Sequence, residues 1–325
     1  MKMTKLNLYT FEAPFKVPVK TNLVTLNHRK VLVIGIVIDG TEYFAEANSF
    51  ETPWYHDETI DSVAEKVRTI FKRLKGKEID NLDTLQYYLD ADSPNASSCF
   101  DVIAYQYFNQ LRPVVIPIGQ TLHHDATEIN PDASRIKLKM HDKILEQVRT
   151  IRKESNIKIV IDANGLLSEA HFDLMNALSK SDILYFEEPF HSIKTYAALL
   201  KRYPDIHLAI DESATDRSAI QQFYDIGVQT AVIKYSRLGG ITQSFAIQND
   251  CPDIALVSGG MYEFGFSKYF TAMLGEAFRT VPDVTPKGTY FDNDFTIYEE
   301  YMADKQLHLS MPVVVKNKLH RIVSY

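Results

Sequence analysis

The chain has 325 residues, 45% of them apolar and 24% charged, with 13 Gly and 13 Pro, and this composition excludes disordered, collagen-like and low-complexity proteins. Lys plus Arg total 35 and Asp plus Glu total 42, so the net charge of −7, without any basic block, argues against binding to DNA or RNA. No apolar run of about 18 residues could span a bilayer, and two isolated cysteines without a secretory leader fit a reducing compartment, so we expect a cytoplasmic globular protein with no membrane contact.

The first part of the chain, residues 1–112, predicts a small α+β domain. Residues 31–38 are an apolar run typical of a strand, and Asp39-Gly40 predicts a tight turn into a second strand. Apolar residues then recur at helical spacing over 59–74 and over 93–111, where the opening Ser-Pro pair suits a cap and first turn. The start of the chain is therefore expected to be an antiparallel sheet followed by helices.

Beyond this domain, short apolar runs alternate with amphipathic stretches of helical length. The runs are 135–140, 157–161, 183–186, 206–210, 230–233 and 254–257. A polar residue closes each run, at separations of 23 to 25 residues: Lys139, Asp162, Glu187, Asp211, Lys234 and Ser258. One strand, one helix and two loops need about this length, and 114–118 supplies a preceding strand. The regular spacing favours a (β/α) barrel over a doubly wound open sheet.

The residues that close the strands are the candidate site, because barrel enzymes place their chemistry at the C-terminal ends of the strands. Asp162, Glu187 and Asp211 close three consecutive strands about 4.8 Å apart, so their carboxylates can meet around one ion. Three oxygen ligands without a nearby His or Cys suit Mg²⁺ or Mn²⁺ and do not suit zinc. Lys139 and Lys234 close the flanking strands and would place an amine on either side of the ion.

The charge of this set predicts a small-molecule carboxylate as the substrate. Three carboxylates, one divalent ion and two protonated lysines leave one net positive charge, which suits an anion. If one lysine is neutral, it can remove a proton alpha to the carboxylate, and the enediolate charge develops beside the ion and the other ammonium. Candidate substrate contacts are Lys137, Asn164, Ser258, Gly259, Gly260 and Met261.

Each feature also has a simpler interpretation. Strand-end acids often cap the next helix, and a Lys-Leu-Lys triplet is typical of a solvated edge strand. Lys234 could instead be the Schiff-base lysine of an aldolase, and a barrel without catalytic function is a further alternative. Trp54 is expected either to pack internally or to line a lid. Five such residues in one ordered series nevertheless favour a shared site.

Five short strings in this region resemble one known family. They are Arg135-Ile136-Lys137-Leu138-Lys139, Asp162-Ala163-Asn164-Gly165, Phe186-Glu187-Glu188-Pro189, Asp211-Glu212-Ser213 and Lys234-Tyr235-Ser236-Arg237-Leu238-Gly239-Gly240. Together they resemble the enolase superfamily, within it the muconate-lactonizing subgroup, and most closely the o-succinylbenzoate synthases of Gram-positive type. The match that carries motifs covers about 135–265.

This resemblance implies a modified (β/α)₇β TIM-like barrel over 113–289, with an N-terminal α+β capping domain over 1–112 that residues 290–325 complete. It implies Mg²⁺, or Mn²⁺ as a substitute, on the three carboxylates. It also implies a lyase of menaquinone biosynthesis. In this reaction Lys139 takes the alpha proton of 2-succinyl-6-hydroxy-2,4-cyclohexadiene-1-carboxylate, water leaves to give 2-succinylbenzoate, and Lys234 stabilises the enediolate.

Two features keep an alternative open. Tyr262 and Phe264 stand where many relatives carry Leu and Thr, which bears on the identity of the substrate. An N-acylamino acid racemase or another epimerase on the same scaffold also needs two lysines around an enediolate, and Arg237 is compatible with it. Residues 13–27 and 50–57 are candidate lid segments, and a homo-oligomer is possible.

Overall fold

An antiparallel sheet begins the chain. In this computed structural model, which describes residues 1–21, 23–122 and 126–325, the first strands are β1 Met3–Lys20, β2 Thr25–Ile38 and β3 Thr41–Ala47. Asp39 and Gly40 have φ angles of 50° and 83°, and Ile38 pairs with Thr41, so the predicted two-residue turn is confirmed. Strand β2 is buried over much of its length because β1 and β3 pair with its two edges.

Three helices follow the sheet: α1 Ile60–Leu74, α2 Leu82–Gln86 and α3 Pro94–Phe108. Helix α1 begins where the sequence predicted, because Thr59 forms a capping box at its first turn. Helix α3 has Pro94 in its first turn, also as predicted, but the Ser93 side chain makes no capping hydrogen bond. The Glu58 carboxylate accepts instead from the backbone N–H of Asn95 at 2.9 Å, so a distant residue caps the helix.

Seven parallel strands form the barrel, hydrogen-bonded in chain order from β4 to β10. The strands are β4 Val114–Leu122, β5 Ala133–Lys139, β6 Lys158–Asp162, β7 Ile183–Glu187, β8 Leu208–Ile210, β9 Thr230–Ile233 and β10 Ala255–Ser258. The helices are α4 Ile144–Glu154, α5 Phe172–Ser179, α6 Ile193–Arg202, α7 Arg217–Asp225, α8 Ile241–Asp250 and α9 Gly265–Phe278. Helix α9 contacts both β4 and β10. The modified (β/α)₇β TIM-like barrel with an N-terminal α+β cap is thereby confirmed.

The register of the barrel strands brings their C-terminal ends to one edge. Lys139 pairs with Asp162, and Asp162 pairs with Glu187 on the following strand. The inward-facing apolar side chains one step below form a separate inner core: Val160, Tyr185, Ala209, Val232 and Val257. Side chains two residues further along a strand point to the same face, so the strand-end residues that face the barrel mouth are Asp162, Glu187, Asp211 and Lys234. Ser258 lies only one residue after Val257 and therefore points to the other face of the sheet.

The C-terminal segment returns to both parts of the molecule. Its strands are β11 Thr296–Ile297, β12 Glu300–Ala303, β13 Gln306–Leu309, β14 Val313–Val314 and β15 His320–Ser324. Strand β13 pairs antiparallel with β4 and carries β12 on its outer edge, so this hairpin extends the barrel sheet. Strand β15 pairs with β1 and adds a fourth strand to the N-terminal sheet. The chain end therefore ties the cap to the barrel.

Two buried carboxylates of the N-terminal domain bind the first turns of barrel helices. Glu46 on β3 accepts from the backbone N–H groups of Phe264 and Ser267 at 3.0 Å each, at the start of α9. Asp101 on α3 accepts from the backbone N–H of Thr242 at 3.1 Å, at the start of α8. Both contacts satisfy backbone donors that lack a partner within their helix. Among the helices of the described ranges, none is both long and apolar enough to cross a membrane.

Candidate active site

The first flank of the barrel mouth is built around Lys139 at the end of β5. Its ammonium lies 2.5 Å from Asp162 Oδ2 and 2.9 Å from Asn164 Oδ1. Asn164 has a φ of 46° and donates from Nδ2 to Glu212 Oε1 at 3.1 Å, so it links this lysine to the loop after β8. The Lys139 side chain is 37% exposed. This flank is therefore open to a molecule that enters from solvent.

The opposite flank is built around Lys234, whose side chain is only 7% exposed. Its ammonium forms an ion pair with Asp211, which also accepts from Arg237 at 3.2 Å. The ring of Tyr55 covers it, with its centroid 5.4 Å from Nζ, and the Tyr55 hydroxyl accepts from Arg237 Nη1 at 2.8 Å. Burial lowers the pKa of Lys234, but the attraction of Asp211 outweighs it and the pKa is raised above its ordinary value.

The barrel interior beneath these flanks carries an ionic network. The Lys137 ammonium donates to Glu187 Oε1 at 2.8 Å and to Asp283 Oδ2 at 2.7 Å. Arg135 also pairs with Asp283 and donates to the hydroxyl of Tyr185 at 2.9 Å. Burial raises the pKa of Asp283, but Lys137 and Arg135 more than reverse this and hold it well below its usual range. Lys137 is thus fully engaged by carboxylates, and its predicted contact with substrate stays a prediction.

The three predicted metal ligands are carboxylates that lie beside lysine side chains. Oε2 of Glu187 is buried without a hydrogen-bond partner among the described residues, and burial raises the pKa of this carboxyl to about 8 although Lys137 opposes it. An orphaned buried carboxylate oxygen among other carboxylates suits a hard cation. As positioned, no three His, Cys, Asp or Glu side chains of the described ranges form a metal-binding group, and each predicted ligand holds a lysine instead. The donor set fits Mg²⁺, and the assignment of Asp162, Glu187 and Asp211 stays a prediction.

Glu188 holds the turn that carries Asp211. Its Oε2 accepts from the backbone N–H groups of Asp211 at 2.7 Å and Ser213 at 3.2 Å, and the Ser213 hydroxyl donates to Oε1. An acid at the end of a strand often caps the helix that follows it, but Glu188 binds the end of the next strand instead. Its φ of 39° is left-handed, a conformation that costs energy for a non-glycine residue and is frequent at functional sites.

The other predicted substrate contacts lie together at and after the end of β10. Ser258 is buried, and the backbone N–H of Gly259 donates to Ile233 O at 2.8 Å, beside Lys234. A Cβ at Gly259 would lie 3.3 Å from Lys234 Cγ, so glycine permits the loop to approach the lysine closely. Gly260 follows in the same loop, and Met261 lines a small cavity with Lys234, Tyr55 and Arg237. The structure brings these residues together, while their contact with a substrate stays a prediction.

The candidate lid segment 50–57 reaches the buried flank through Tyr55. Trp54 packs edge-on against Phe50 at 4.8 Å and Tyr55 at 5.5 Å, and the guanidinium of Arg29 lies 4.0 Å from the Phe50 ring centroid. Trp54 therefore supports the segment by packing, and its neighbour makes the contact with the site. Tyr55 and Asp283 were both missed from sequence, because each meets its partner across well over a hundred residues of chain.

Comparisons with known proteins agree with this fold. Residues 124–257 match the family model described as enolase C-terminal domain-like. The o-succinylbenzoate synthase of Bacillus subtilis is 24% identical over 90% of this chain and 88% of its own length, and the N-succinylamino acid racemase of an Amycolatopsis species is 22% identical over 91% and 89%. An enolase-superfamily protein from Listeria innocua superposes with a TM-score of 0.88 at 19% identity, over 100% of this chain and 98% of its own, and shares the fold. The predicted family resemblance is confirmed.

Proposed function

Because residues 124–257 match the enolase C-terminal domain-like family, we propose that the protein is an o-succinylbenzoate synthase, a lyase that dehydrates 2-succinyl-6-hydroxy-2,4-cyclohexadiene-1-carboxylate to 2-succinylbenzoate. The observation that carries the proposal is the difference between the two flanking lysines. Lys139 is 37% exposed and Lys234 is 7% exposed. Dehydration on one face needs one mobile proton carrier and one fixed positive charge, and the two flanks fit these roles.

Lys139 is the proton carrier in this proposal. A neutral Lys139 takes the proton alpha to the substrate carboxylate, and the electrons of that C–H bond move onto the carboxylate oxygens. When they return, they form the last double bond of the aromatic ring, the C–O bond to the hydroxyl breaks, and Lys139 gives its proton to the departing oxygen. The products are 2-succinylbenzoate and water, and the lysine is neutral again.

Lys234 supplies a fixed positive charge on the other side. Asp211, which Arg237 also binds, and the ring of Tyr55 hold its ammonium in place, so it stabilises the charge on the substrate oxygens without reorganisation. Mg²⁺, when held by Asp162, Glu187 and Asp211, supplies further stabilisation of that charge as a Lewis acid. Asn164 and Asp162 orient the Lys139 ammonium toward the mouth.

A racemase is the second candidate, since a curated relative carries that name. Racemisation needs a lysine on each face that both takes and gives a proton. The burial of Lys234 in a cage of charged and aromatic groups disfavours that role. The dehydratase is therefore the preferred proposal, with racemisation as a slower side reaction.

The test measures both reactions with one purified protein in the presence of Mg²⁺. We expect formation of 2-succinylbenzoate, followed by absorbance, to be faster than deuterium exchange at the alpha carbon of N-succinyl amino acids in deuterated water. A chelator is expected to abolish dehydration, and borohydride with substrate is expected to leave it intact, since no Schiff base forms. Exchange with both enantiomers that rivals or exceeds dehydration would overturn the proposal in favour of the racemase.

A further inference from the structure

An aromatic cluster closes one side of the barrel mouth. Tyr262 follows Met261 in the loop between β10 and α9, and its ring meets Phe15 edge-on at 5.8 Å and Tyr290 at 5.3 Å. Phe15 lies on the long β1–β2 hairpin of the cap, and Tyr290 lies on the segment that follows the barrel. Three separate parts of the chain therefore meet at Tyr262. We call this group, Phe15, Tyr262 and Tyr290, the aromatic wall.

Hydrogen bonds to the backbone, as well as ring contacts, join the β1–β2 hairpin to the aromatic wall. The Lys16 N–H donates to Tyr290 O at 2.8 Å, and the Lys16 ammonium donates to Gly288 O at 2.9 Å. Phe264, two residues after Tyr262, packs on Phe291 with ring centroids 4.5 Å apart. The edge-to-face contacts of Tyr262 with Phe15 and Tyr290 fix the orientation of these rings. The wall is therefore a rigid surface, although it stands on loops.

Tyr262 lies in the loop that passes Lys234, and Met261, the residue before it, lines the small cavity beside that lysine. Burial raises the pKa of Tyr262, while the charges of Lys139 and Lys234 oppose this rise, so both flanks act on its hydroxyl. No hydrogen bond of the described residues involves this hydroxyl, although the side chain is half-buried. Its φ of 55° is left-handed, which costs energy for a tyrosine and requires that the loop be held in place.

The loop is held from below by buried groups. Glu263, the next residue, accepts from the Thr271 hydroxyl at 2.9 Å. Burial lowers the pKa of the Arg29 guanidinium, and the negative charge of Glu263 is one of those that oppose this. A Cβ at Gly260 would lie 3.0 Å from Glu263 Oε2, so the loop is packed tightly on that side. These contacts hold the loop that carries Tyr262 in its strained conformation.

We propose that Tyr262 is a specificity-determining residue that selects a conjugated ring carboxylate against acyclic N-acyl amino acids. Its ring offers a flat surface on which the diene of a cyclohexadiene can stack, and its hydroxyl can donate to an oxygen of the substrate. An acyclic N-acyl amino acid has no conjugated ring to place on that surface. This inference rests on the proposed dehydratase function and deepens it.

The test compares Tyr262→Leu, Tyr262→Phe and wild type in both reactions, with Tyr87→Leu as a matched control on a side chain that is 88% exposed. We expect Tyr262→Leu to lower kcat/KM for dehydration about tenfold, while alpha-proton exchange of N-succinyl amino acids is unchanged or faster. Tyr262→Phe keeps the ring and is expected to retain most of the preference. The control is expected to match wild type in both reactions.

Binding of 2-succinylbenzoate, measured by calorimetry, provides a second readout that does not depend on turnover. It is expected to weaken in Tyr262→Leu, and to a smaller extent in Phe15→Leu, which removes the support of the wall without touching the chemistry. An unchanged ratio of the two reactions and unchanged binding in Tyr262→Leu would overturn this inference while the dehydratase proposal stands. A wild-type protein that performs no dehydration would overturn both.

Discussion

The two flanks of the barrel mouth present the same residue type in opposite surroundings. Lys139 is 37% exposed and contacts two oxygen acceptors at the rim, whereas Lys234 is 7% exposed and is enclosed by Asp211, Arg237 and Tyr55. One flank is built only from barrel residues, and the other is covered in addition by a segment of the cap. The enclosure of Lys234 therefore needs both parts of the molecule, because the barrel supplies Asp211 and Arg237 and the cap supplies Tyr55.

The enclosed flank is also the rigid one. Glu188 and Arg237 both bind the turn that carries Asp211, one through backbone N–H groups and the other through the carbonyl and carboxylate. No such support surrounds Lys139 among the described residues beyond Asp162 and Asn164. A proton carrier must approach and leave its substrate atoms, whereas an electrostatic group works best when it does not move.

The largest expected effect is that of Lys139→Ala. Loss of the only proton carrier should lower kcat for dehydration by about 10³-fold or more, while the fold is retained because this side chain is exposed. The measurement is a steady-state assay beside circular dichroism. A strain that requires menaquinone and lacks this enzyme should grow with wild type, and growth with the Lys139→Ala protein would contradict the assignment.

The second prediction uses arginine to separate charge from proton transfer. Lys234→Ala should lower kcat about 10²- to 10³-fold, and Lys234→Arg should recover part of that loss because it restores a fixed positive charge. Lys139→Arg should recover nothing, since arginine stays protonated. Equal rescue at both positions, in the same assay, would remove the distinction between the two flanks.

The positions of the two flanking lysines follow from the local sequence pattern, whereas the surroundings of Lys234 depend on contacts between distant parts of the chain. The strand-end series from Lys139 to Lys234 was predictable because parallel strands in chain order carry successive residues to one edge. Even there, β8 is shorter than predicted, since only Leu208–Ile210 is paired as strand. The enclosure of Lys234 was not predictable, because Tyr55 reaches it from another domain. Asp283 was not predictable either, because it meets Lys137 across 146 residues of chain.

The third prediction concerns the docking of the cap that encloses one flank. Burial raises the pKa of Glu46 to about 8, in spite of its two backbone hydrogen bonds. The folded protein therefore holds a proton that the unfolded chain has released, so this stabilisation is complete below about pH 4.5 and is lost as the pH rises through about 8. Between pH 6 and 8 the free energy of unfolding of wild type should fall by about 2 kcal/mol more than that of Glu46→Gln. Urea denaturation at both pH values measures it.

Glu42 on the same strand is the matched control. Burial raises the pKa of Glu42, but hydrogen bonds from Lys316, Asn7 and Tyr9 more than compensate, and the pKa is lowered. Its contribution is present above the unfolded pKa and is lost only as the pH falls, so Glu42→Gln should follow wild type between pH 6 and 8. If Glu46→Gln behaves in the same way, the cap is not docked through a protonated carboxyl.

The smallest effect is expected for Tyr55→Phe, which leaves the ring over Lys234 and removes only the hydroxyl that accepts from Arg237 at 2.8 Å. Loss of one hydrogen bond to a charged donor should cost about 1.5 kcal/mol, seen mainly as a higher KM because the segment 50–57 closes less firmly. Trp54→Phe is the control, since it keeps an aromatic ring between Phe50 and Tyr55 and should change KM less. A fall in kcat for Tyr55→Phe with an unchanged KM would instead place the hydroxyl in the reaction itself, and Lys234 would then have a second partner in charge stabilisation.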